Sequence, residues 1–340
     1  MMGERLTLGD IYVARRRLNG RIAPTPLVPS PSLSERVGSP VHLKLEQHQL
    51  TGSFKLRGAT NALLALPDDA RSRGVVAAST GNHGRALAYA AKALGTRCVV
   101  CMSDLVPGNK VEGIRRLGAE IRIVGRSQDD AQVEVERLVA EERLTMLPPF
   151  DHPDIIAGQG TLGLELIEHC PELEAVLVPL SGGGLISGTA LAVKTAKPGA
   201  RVVGISMARG AAMNASVAAG RPVDVEELPT LADSLGGGIG LGNRWTFKMV
   251  RELVDEVVLV DEAEIAAAVS HAYWQEQEVV EGAAAVGIAA LLTGKVRPHG
   301  PAVAVLSGRN IDMSLHQRVI ACADVRLEDR MPSLLDDGYA

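Results

Sequence analysis

Two hydrophobic patterns alternate along most of the chain. Short runs of Val, Ile, Leu and Ala are bounded by glycine, proline or polar residues, which is typical of buried parallel strands, and longer segments with helical spacing separate them. Strands are predicted at residues 41–45, 74–79, 98–102, 120–124, 145–147, 175–180, 201–205, 257–260 and 302–306. Helices are predicted at residues 8–19, 82–95, 110–118, 128–142, 161–170, 185–196, 262–275 and 283–292, and one more follows the first strand and ends at residue 66.

This alternation predicts an α/β fold with two domains, each built on a mainly parallel sheet flanked by helices. From residue 74 onward, three or four strand–helix units follow one another, which requires right-handed crossovers. The expected division is a large domain of residues 1–50 and 151–325, a small domain of 51–150 with its core at about 74–150, and a loosely ordered tail of 326–340. A ligand site is expected near the seam between the domains, where such sites tend to lie.

Composition and charge exclude several classes of partner. The 340 residues suit two domains, and an apolar fraction of 46% supports a large core. A net charge of −5 without a basic stripe argues against a nucleic-acid partner. No apolar run is long enough to span a membrane, and residues 1–10 lack the apolar core of a signal peptide, so a cytoplasmic protein is expected.

The first candidate for chemistry is Lys55, in the segment Ser-Phe-Lys-Leu-Arg-Gly-Ala at residues 53–59. The lysine lies where a strand gives way to a helix, among small and apolar neighbours. A partly desolvated lysine loses its proton more easily, and a neutral amine can form a Schiff base with an aldehyde. Considered without the other segments, Lys55 is more simply interpreted as a solvated surface lysine.

Three further segments each follow a predicted strand. Residues 181–185 read Ser-Gly-Gly-Gly-Leu, in which converging backbone N–H groups and a helix N-terminus can bind phosphate, although a tight turn is the alternative. Residues 79–84 read Ser-Thr-Gly-Asn-His-Gly and could hold a carboxylate or simply cap a helix. Residues 307–310 read Ser-Gly-Arg-Asn and offer a hydroxyl at a strand end.

In this order, the four segments resemble those of the fold-type II pyridoxal-phosphate enzymes, which have the tryptophan synthase β-like fold. The resemblance runs from about Leu8 to Arg318 and is strongest to the threonine/serine dehydratase and serine racemase family. Within that family, residues 211–213 and 230–238 are similar to the dehydratases of hydroxyectoine utilisation.

The resemblance implies how the cofactor, pyridoxal 5′-phosphate, would be bound. Lys55 would form the Schiff base with its aldehyde and afterwards act as the base at Cα of the substrate. Phe54 would pack near the ring, Asn82 would hydrogen-bond the 3-hydroxyl, and Ser307 would face the pyridine nitrogen. The phosphate would be held by the backbone of Gly182, Gly183, Gly184 and Leu185.

The resemblance also implies the substrate site and the reaction. The carboxylate of an amino-acid substrate would be held by Ser79, Thr80, Gly81 and His83. Thr80 lies where racemases of the family carry a serine that protonates the opposite face of Cα, so racemase activity is a further hypothesis. A neutral hydroxyl at Ser307 cannot keep the ring protonated as an aspartate would, which favours prompt loss of a β-leaving group over transamination.

The expected function is therefore pyridoxal-phosphate-dependent β-elimination on a β-hydroxy amino acid, giving a 2-oxo acid and ammonia. Alternatives within the fold are racemisation and β-replacement. More remote alternatives are a nicotinamide-dependent oxidoreductase, which the lack of a G-x-G-x-x-G motif disfavours, and a non-catalytic small-molecule binder. A homodimer or larger homo-oligomer is expected from the family.

No metal site is expected. Some family members bind a divalent cation through carboxylates, but Ser206 and Ala212 stand at the matching positions here, and such cations usually need carboxylate ligands. Cys98 and Cys101 have a C-x-x-C spacing, but they lie in a predicted strand whose positions i and i+3 face opposite sides. A redox or metal-binding role for this pair of cysteines is therefore not expected.

Overall fold

The computed structural model describes residues 5–79, 81–104, 106, 108–126 and 128–321. Ten strands lie within these residues: β1 Leu27–Pro29, β2 Val41–Leu45, β3 Val75–Ala78, β4 Cys98–Met102, β5 Glu120–Ile123, β6 Thr145–Met146, β7 Ala175–Pro179, β8 Arg201–Met207, β9 Glu256–Val260 and β10 Ala302–Leu306. The helices described are α1 Leu8–Leu18, α2 Pro31–Val37, α3 Lys55–Ala65, α4 Asp68–Arg73, α5 Asn82–Ala93, α6 Gly108–Arg116, α7 Gln128–Glu142, α8 Pro153–His169, α9 Gly184–Ala196, α10 Ala212–Ala219, α11 Thr246–Leu253, α12 Glu262–Trp274, α13 Gly282–Leu292 and α14 Met313–Ala321.

The larger sheet has six strands in the order β1-β2-β10-β7-β8-β9. Only the β1–β2 pair is antiparallel, and the other pairs of this sheet run parallel. Its two faces carry separate clusters of buried side chains, with Leu177 in one and its neighbours Val176 and Val178 in the other. The strands are therefore covered on both sides, as their continuous apolar sequences indicate.

The smaller sheet has four parallel strands in the order β5-β4-β3-β6. Cys98 and Cys101 of β4 are both buried and belong to clusters on opposite faces of the sheet. The predicted α/β class with parallel sheets flanked by helices is confirmed. The expected tail at residues 326–340 lies outside the described residues.

The helix predicted at residues 161–170 is longer than expected, because α8 begins at Pro153. Its early glycines are places of close helix packing rather than breaks. A Cβ at Gly158 would lie 2.7 Å from Cα of Gly58 in α3, and a Cβ at Gly160 would lie 3.0 Å from the carbonyl oxygen of Gly188 in α9. The missing side chains let three helices approach one another, and this contact outweighs the low helix propensity of glycine.

Several elements have no counterpart among the predicted ones. They are the short antiparallel strand β1 and the helices α2, α4, α10, α11 and α14. Each contains fewer than ten residues, so the helices among them have too few turns for a clear helical pattern. The helix α11 matters for the site below, because its first residues border a loop of the cavity.

Candidate active site

A cavity of about 290 Å³ opens between the two sheets, at the ends of β3, β7 and β10. Carboxyl ends of parallel strands are where ligand sites of α/β proteins form. The residues predicted from the sequence that line it are Phe54, Lys55, Ser79, Gly81, Asn82, His83, Gly182, Gly183, Gly184, Leu185 and Ser307. Thr80 lies outside the described residues. The four separate segments therefore converge on one cavity.

Lys55 is the first residue of α3, and its side chain is half-buried. Its Nζ donates a hydrogen bond to the carbonyl oxygen of Pro149 at 2.8 Å and lies 5.3 Å from the centroid of the Phe54 ring. Burial lowers the pKa of Lys55 to about 8, although the nearby Glu281 carboxyl opposes this change. An appreciable fraction of this lysine is thus a neutral amine near neutral pH, as a nucleophile or base requires.

The segment before Lys55 is tied to the end of β10. Ser53 and Gly308 form an isolated antiparallel bridge, and the N–H of Phe54 donates to the carbonyl oxygen of Ser307 at 3.1 Å. Ser307 is buried, with 3% of its surface exposed, and it lines the cavity. This pairing brings the segments that carry the lysine and the serine together at the cavity.

Residues 182–184 turn from β7 into α9, and Gly183 has the left-handed φ of 87°. The first N–H groups of a helix lack partners within it, so the N-terminus of α9 presents donors and a partial positive charge to the cavity. Phe150 packs against this turn. A Cβ at Gly182 would lie 2.4 Å from the Phe150 ring, and a Cβ at Gly184 would lie 3.0 Å from the Phe150 backbone. Glycine is required here by close contact as well as by conformation.

Asp151 fixes the loop that carries Pro149 and Phe150. Its carboxylate accepts hydrogen bonds from the backbone N–H groups at the start of α11: Arg244 at 2.7 Å, Trp245 at 2.9 Å and Thr246 at 2.9 Å. Three donors on one carboxylate cap the helix in the manner of an N-terminal aspartate.

The segment around the start of α5 forms a further part of the cavity wall. The Ser79 hydroxyl accepts a hydrogen bond from the N–H of Gly84 at 3.2 Å, so its own proton can be donated into the cavity. His83 is buried, and its Nε2 lies 2.8 Å from the carbonyl oxygen of Leu147, to which it must donate. Burial and the charge of Lys55 lower the pKa of His83 to about 4, so the imidazole is neutral and its Nδ1 is an acceptor. The His83 ring is therefore unsuited to donate to a carboxylate, whereas its backbone N–H lies in the first turn of α5.

Asn82 belongs to a hydrogen-bonded network with Glu281, to which the sequence analysis assigned no role, and with Asn310, the last residue of the Ser-Gly-Arg-Asn segment. Its Nδ2 donates to Oε1 of Glu281 at 2.8 Å, and its Oδ1 accepts from Nδ2 of Asn310 at 2.5 Å. Burial raises the pKa of Glu281 to about 7, and the charge of Asp233 acts in the same direction. Asp233 and Ser234 also line the cavity.

Four buried charges anchor α3 two residues beyond Lys55. Arg57 is 1% exposed; its Nε lies 2.8 Å from Glu46, and its Nη1 lies 2.5 Å from Glu165. Lys44 bonds Glu165 at 2.5 Å, so two cations face two carboxylates. Although burial alone would raise the pKa of Glu46, the charge and hydrogen bonds of Arg57 hold it below its usual value.

Two features of the described residues concern metal binding and membrane insertion. Among the described residues, no group of three or more His, Cys, Asp or Glu side chains is arranged to hold a metal ion. Within the same part of the chain, no helix combines the length and the apolar character that crossing a bilayer demands. The predicted absence of a metal stays a prediction.

Known proteins of one kind match this chain over most of its length. The family model described as pyridoxal-phosphate dependent enzyme matches residues 18–308. A protein of Sinorhizobium fredii provisionally named threonine dehydratase is 64% identical over 316 residues, covering 93% of this chain and 95% of that protein. The L-threonine ammonia-lyase of Thermotoga maritima is 42% identical, covering 93% of this chain and 78% of that protein. The crystal structure of serine racemase from Dictyostelium discoideum matches with a TM-score of 0.84 at 32% identity, covering 90% of this chain and 99% of that one.

Proposed function

The chain belongs to the family of pyridoxal-phosphate-dependent enzymes, and from this premise we propose that it converts a β-hydroxy amino acid into a 2-oxo acid and ammonia. It is a lyase with pyridoxal 5′-phosphate as its cofactor, as the sequence resemblance predicted. The observation that carries the proposal is the convergence of Lys55, the glycine turn and Ser307 on one cavity. We further propose that residues 51–150 form a small domain and residues 1–50 and 151–325 a large one.

The residues of the cavity fit this cofactor. The turn at residues 182–185 offers backbone donors without a side chain, and any Cβ at Gly182 or Gly184 would meet Phe150. A phosphate is bound by such a helix N-terminus without a cationic side chain. Lys55, with its lowered pKa, can reach the aldehyde carbon as a neutral amine. Asn82 and Ser307 would contact the polar atoms of the ring, and Phe54 its face.

The protein's own groups account for the steps that follow binding. The bound cofactor supplies an electron sink that makes the Cα–H bond of an attached amino acid acidic. Lys55, freed when the amine of the substrate takes its place on the cofactor, would then take the Cα proton, and the Pro149 carbonyl that accepts its hydrogen bond would orient the amine. The hydroxyl would leave Cβ as water with the proton that Lys55 has taken, which returns the lysine to its neutral form. Hydrolysis of the resulting enamine consumes one water and releases ammonia and the 2-oxo acid.

The start of α5 would bind the substrate carboxylate. The Ser79 hydroxyl and the N–H groups of the first turn, including that of His83, point to an anion site of the kind that helix N-termini form. The ring of His83 would remain neutral and hold the wall in place through Leu147. Thr80 and Gly81 would complete this loop.

The acidic residues of the cavity lining suggest a narrower substrate class. Asp233, Ser234 and Glu281 line it, and within the described lining Lys55 is the only lysine or arginine. Two carboxyl groups disfavour a substrate with an anionic side chain and favour a neutral or positively charged one. Asp233 and Ser234 belong to residues 230–238, which resemble the dehydratases of hydroxyectoine utilisation. A hydroxylated diaminobutyrate is therefore our preferred substrate, ahead of threonine and serine.

The test is release of ammonia and 2-oxo acid from a panel of β-hydroxy amino acids: threonine, serine, 3-hydroxyaspartate, an aromatic member and 3-hydroxy-2,4-diaminobutyrate. Release from one or two members, lost in Lys55→Ala, would support β-elimination. Release from 3-hydroxyaspartate alone would contradict the charge argument. If a protein loaded with cofactor releases no ammonia from any member of the panel, β-elimination is contradicted.

Racemisation is the second candidate, because a serine racemase shares the fold over 90% of this chain. A hydroxyl at Thr80 could protonate the opposite face of Cα. Formation of D-serine from L-serine, measured on a chiral column, would support it, and unchanged L-serine after long incubation would dispose of it.

A further inference from the structure

The amide of Asn82 is held in one orientation by a chain of hydrogen bonds that starts at a backbone carbonyl. The carbonyl oxygen of Thr51 can only accept, and it lies 2.9 Å from the amide of Asn310, so the Asn310 NH₂ group must face it. The same NH₂ group lies 2.5 Å from the amide of Asn82, which must therefore present its oxygen. The NH₂ group of Asn82 is thereby turned toward Glu281 and the cavity.

Glu281 closes this chain from the other side. One of its oxygens accepts from Asn82 at 2.8 Å, and the other accepts from the backbone N–H of Asn310 at 3.0 Å. The carboxyl group is 3% exposed, so these bonds are sheltered from water. Only a group with two acceptor oxygens satisfies both donors, since an amide would set its own NH₂ group against one of them.

Asn82 is thus left with one N–H for a ligand in the cavity. Its first N–H is committed to Glu281, and its oxygen is committed to Asn310. The hydroxyl of Ser234 lies 3.5 Å from Nδ2, which is too far for a strong bond. An amide fixed in this way acts as a donor and strengthens contact with an anionic oxygen.

We propose that Asn310 and Glu281 are positioning residues that lock Asn82 as a hydrogen-bond donor to the 3-oxygen of the cofactor. The proposal rests on the proposed function only for the cofactor's placement in this cavity. Neither residue needs to touch the cofactor. Their effect is specific to one ligand atom, which separates it from a general contribution to stability.

The experiment compares the dissociation constants of the apoprotein for pyridoxal 5′-phosphate and for its 3-deoxy analogue. Loss of the 3-oxygen also alters the chemistry of the free ligand, but that effect is common to all variants and cancels when their ratios are compared. Wild type is expected to bind the natural cofactor about 10- to 100-fold more tightly than the analogue, the range for a hydrogen bond to a charged group.

Glu281→Gln and Asn310→Ala are expected to reduce this ratio by about 5-fold or more. Asn82→Ala is expected to remove most of the preference for the natural cofactor. Glu278→Gln is the matched control, because it makes the same change three residues earlier, where the carboxylate contacts Gln47 and His48 outside the cavity. Its ratio is expected to equal that of wild type. Thermal melting of each apoprotein identifies variants that fail to fold. If either Glu281→Gln or Asn310→Ala fails to fold, the other variant still tests the proposal.

A wild-type ratio near one, or a Glu281→Gln and Asn310→Ala pair with the wild-type ratio, would overturn the proposal. The outcome is independent of turnover. A protein that discriminates as expected but releases no ammonia would refute the proposed reaction and keep this assignment.

Discussion

The contact between Gly182 and Phe150 gives a prediction that can be worked from distances. In Gly182→Ala the new methyl group would lie 2.4 to 2.6 Å from three atoms of the Phe150 ring, about 1 Å inside the 3.4 Å at which ordinary contact begins. The ring must move or the turn must open. Overpacking of this kind costs about 1–3 kcal/mol, which corresponds to a loss of cofactor affinity of about 5- to 150-fold if the turn is displaced.

The neighbouring glycine supplies the internal comparison. A methyl group at Gly184 would meet Cα, Cβ and the carbonyl oxygen of Phe150, each at 3.0 Å, so backbone atoms rather than the ring block it. Phe150→Ala removes the ring and keeps the backbone. In that background Gly182→Ala should cost little, whereas Gly184→Ala should remain as damaging as before.

The assay is the dissociation constant of each apoprotein for pyridoxal 5′-phosphate, with apoprotein melting as a check on folding. Gly199→Ala, where no heavy atom lies within 4 Å of the new methyl group, is the control for a glycine change without contact. If Gly182→Ala weakens binding equally with and without the Phe150 ring, the steric argument is wrong.

Three further predictions concern the surrounding structure. The folded pKa of His83 is about 4 against 6.5 in the unfolded chain, so the stability that depends on its neutral form is complete above pH 6.5 and lost as pH falls to 4, by about 3 kcal/mol at about 1.4 kcal/mol per pH unit. Glu281, whose pKa is raised to about 7, contributes a slope of opposite sign over nearly the same range, so the contribution of His83 is the difference between the urea-unfolding slopes of the wild-type and His83→Gln apoproteins. That difference is expected to be about 1.4 kcal/mol per pH unit; the exposed-site control His299→Gln should keep the wild-type slope, and equal slopes in wild type and His83→Gln would contradict the prediction. Arg57→Met leaves Glu46 buried without its salt-bridge partner and Glu165 with Lys44 alone, and should lower the free energy of unfolding by about 3–5 kcal/mol; a urea midpoint equal to that of wild type would refute the ion network. Asp151→Ala removes the cap of α11 and should cost about 1–2 kcal/mol in melting experiments, with Asp151→Asn, which keeps one acceptor oxygen, expected to lose less.

The sequence predicts best where an element is simple and long or is buried on both sides. The bounds predicted for β4, β10 and α7 match the structure, because each shows a clear apolar period between turn residues. The start of α8 at Pro153 was missed, and the segment before the predicted helix contains Gly158 and Gly160, residues of low helix propensity that serve contacts with helices distant in sequence. The helix propensity of a residue does not depend on such contacts and therefore cannot predict them.

The same contrast between local sequence pattern and tertiary contact applies to the site. The residues on strand-to-helix turns were predicted because their types carry chemistry at a recognisable place, and those that the structure describes line one cavity. Phe150 was missed, since its role depends on a loop that crosses the glycine turn, a contact made only by tertiary folding. Glu281 did leave a signal, as a single acidic residue between Val279 and the apolar helix α13. A lone buried acid of this kind is a functional candidate.

The central claim is that Lys55 carries the cofactor in this cavity. Reduction of the cofactor-loaded protein with sodium borohydride, followed by peptide mapping with mass spectrometry, tests it directly. A phosphopyridoxyl group is expected on the peptide that contains Lys55, and it should be absent from Lys55→Ala. A label on another lysine, or none on a protein that has bound the cofactor, would contradict it.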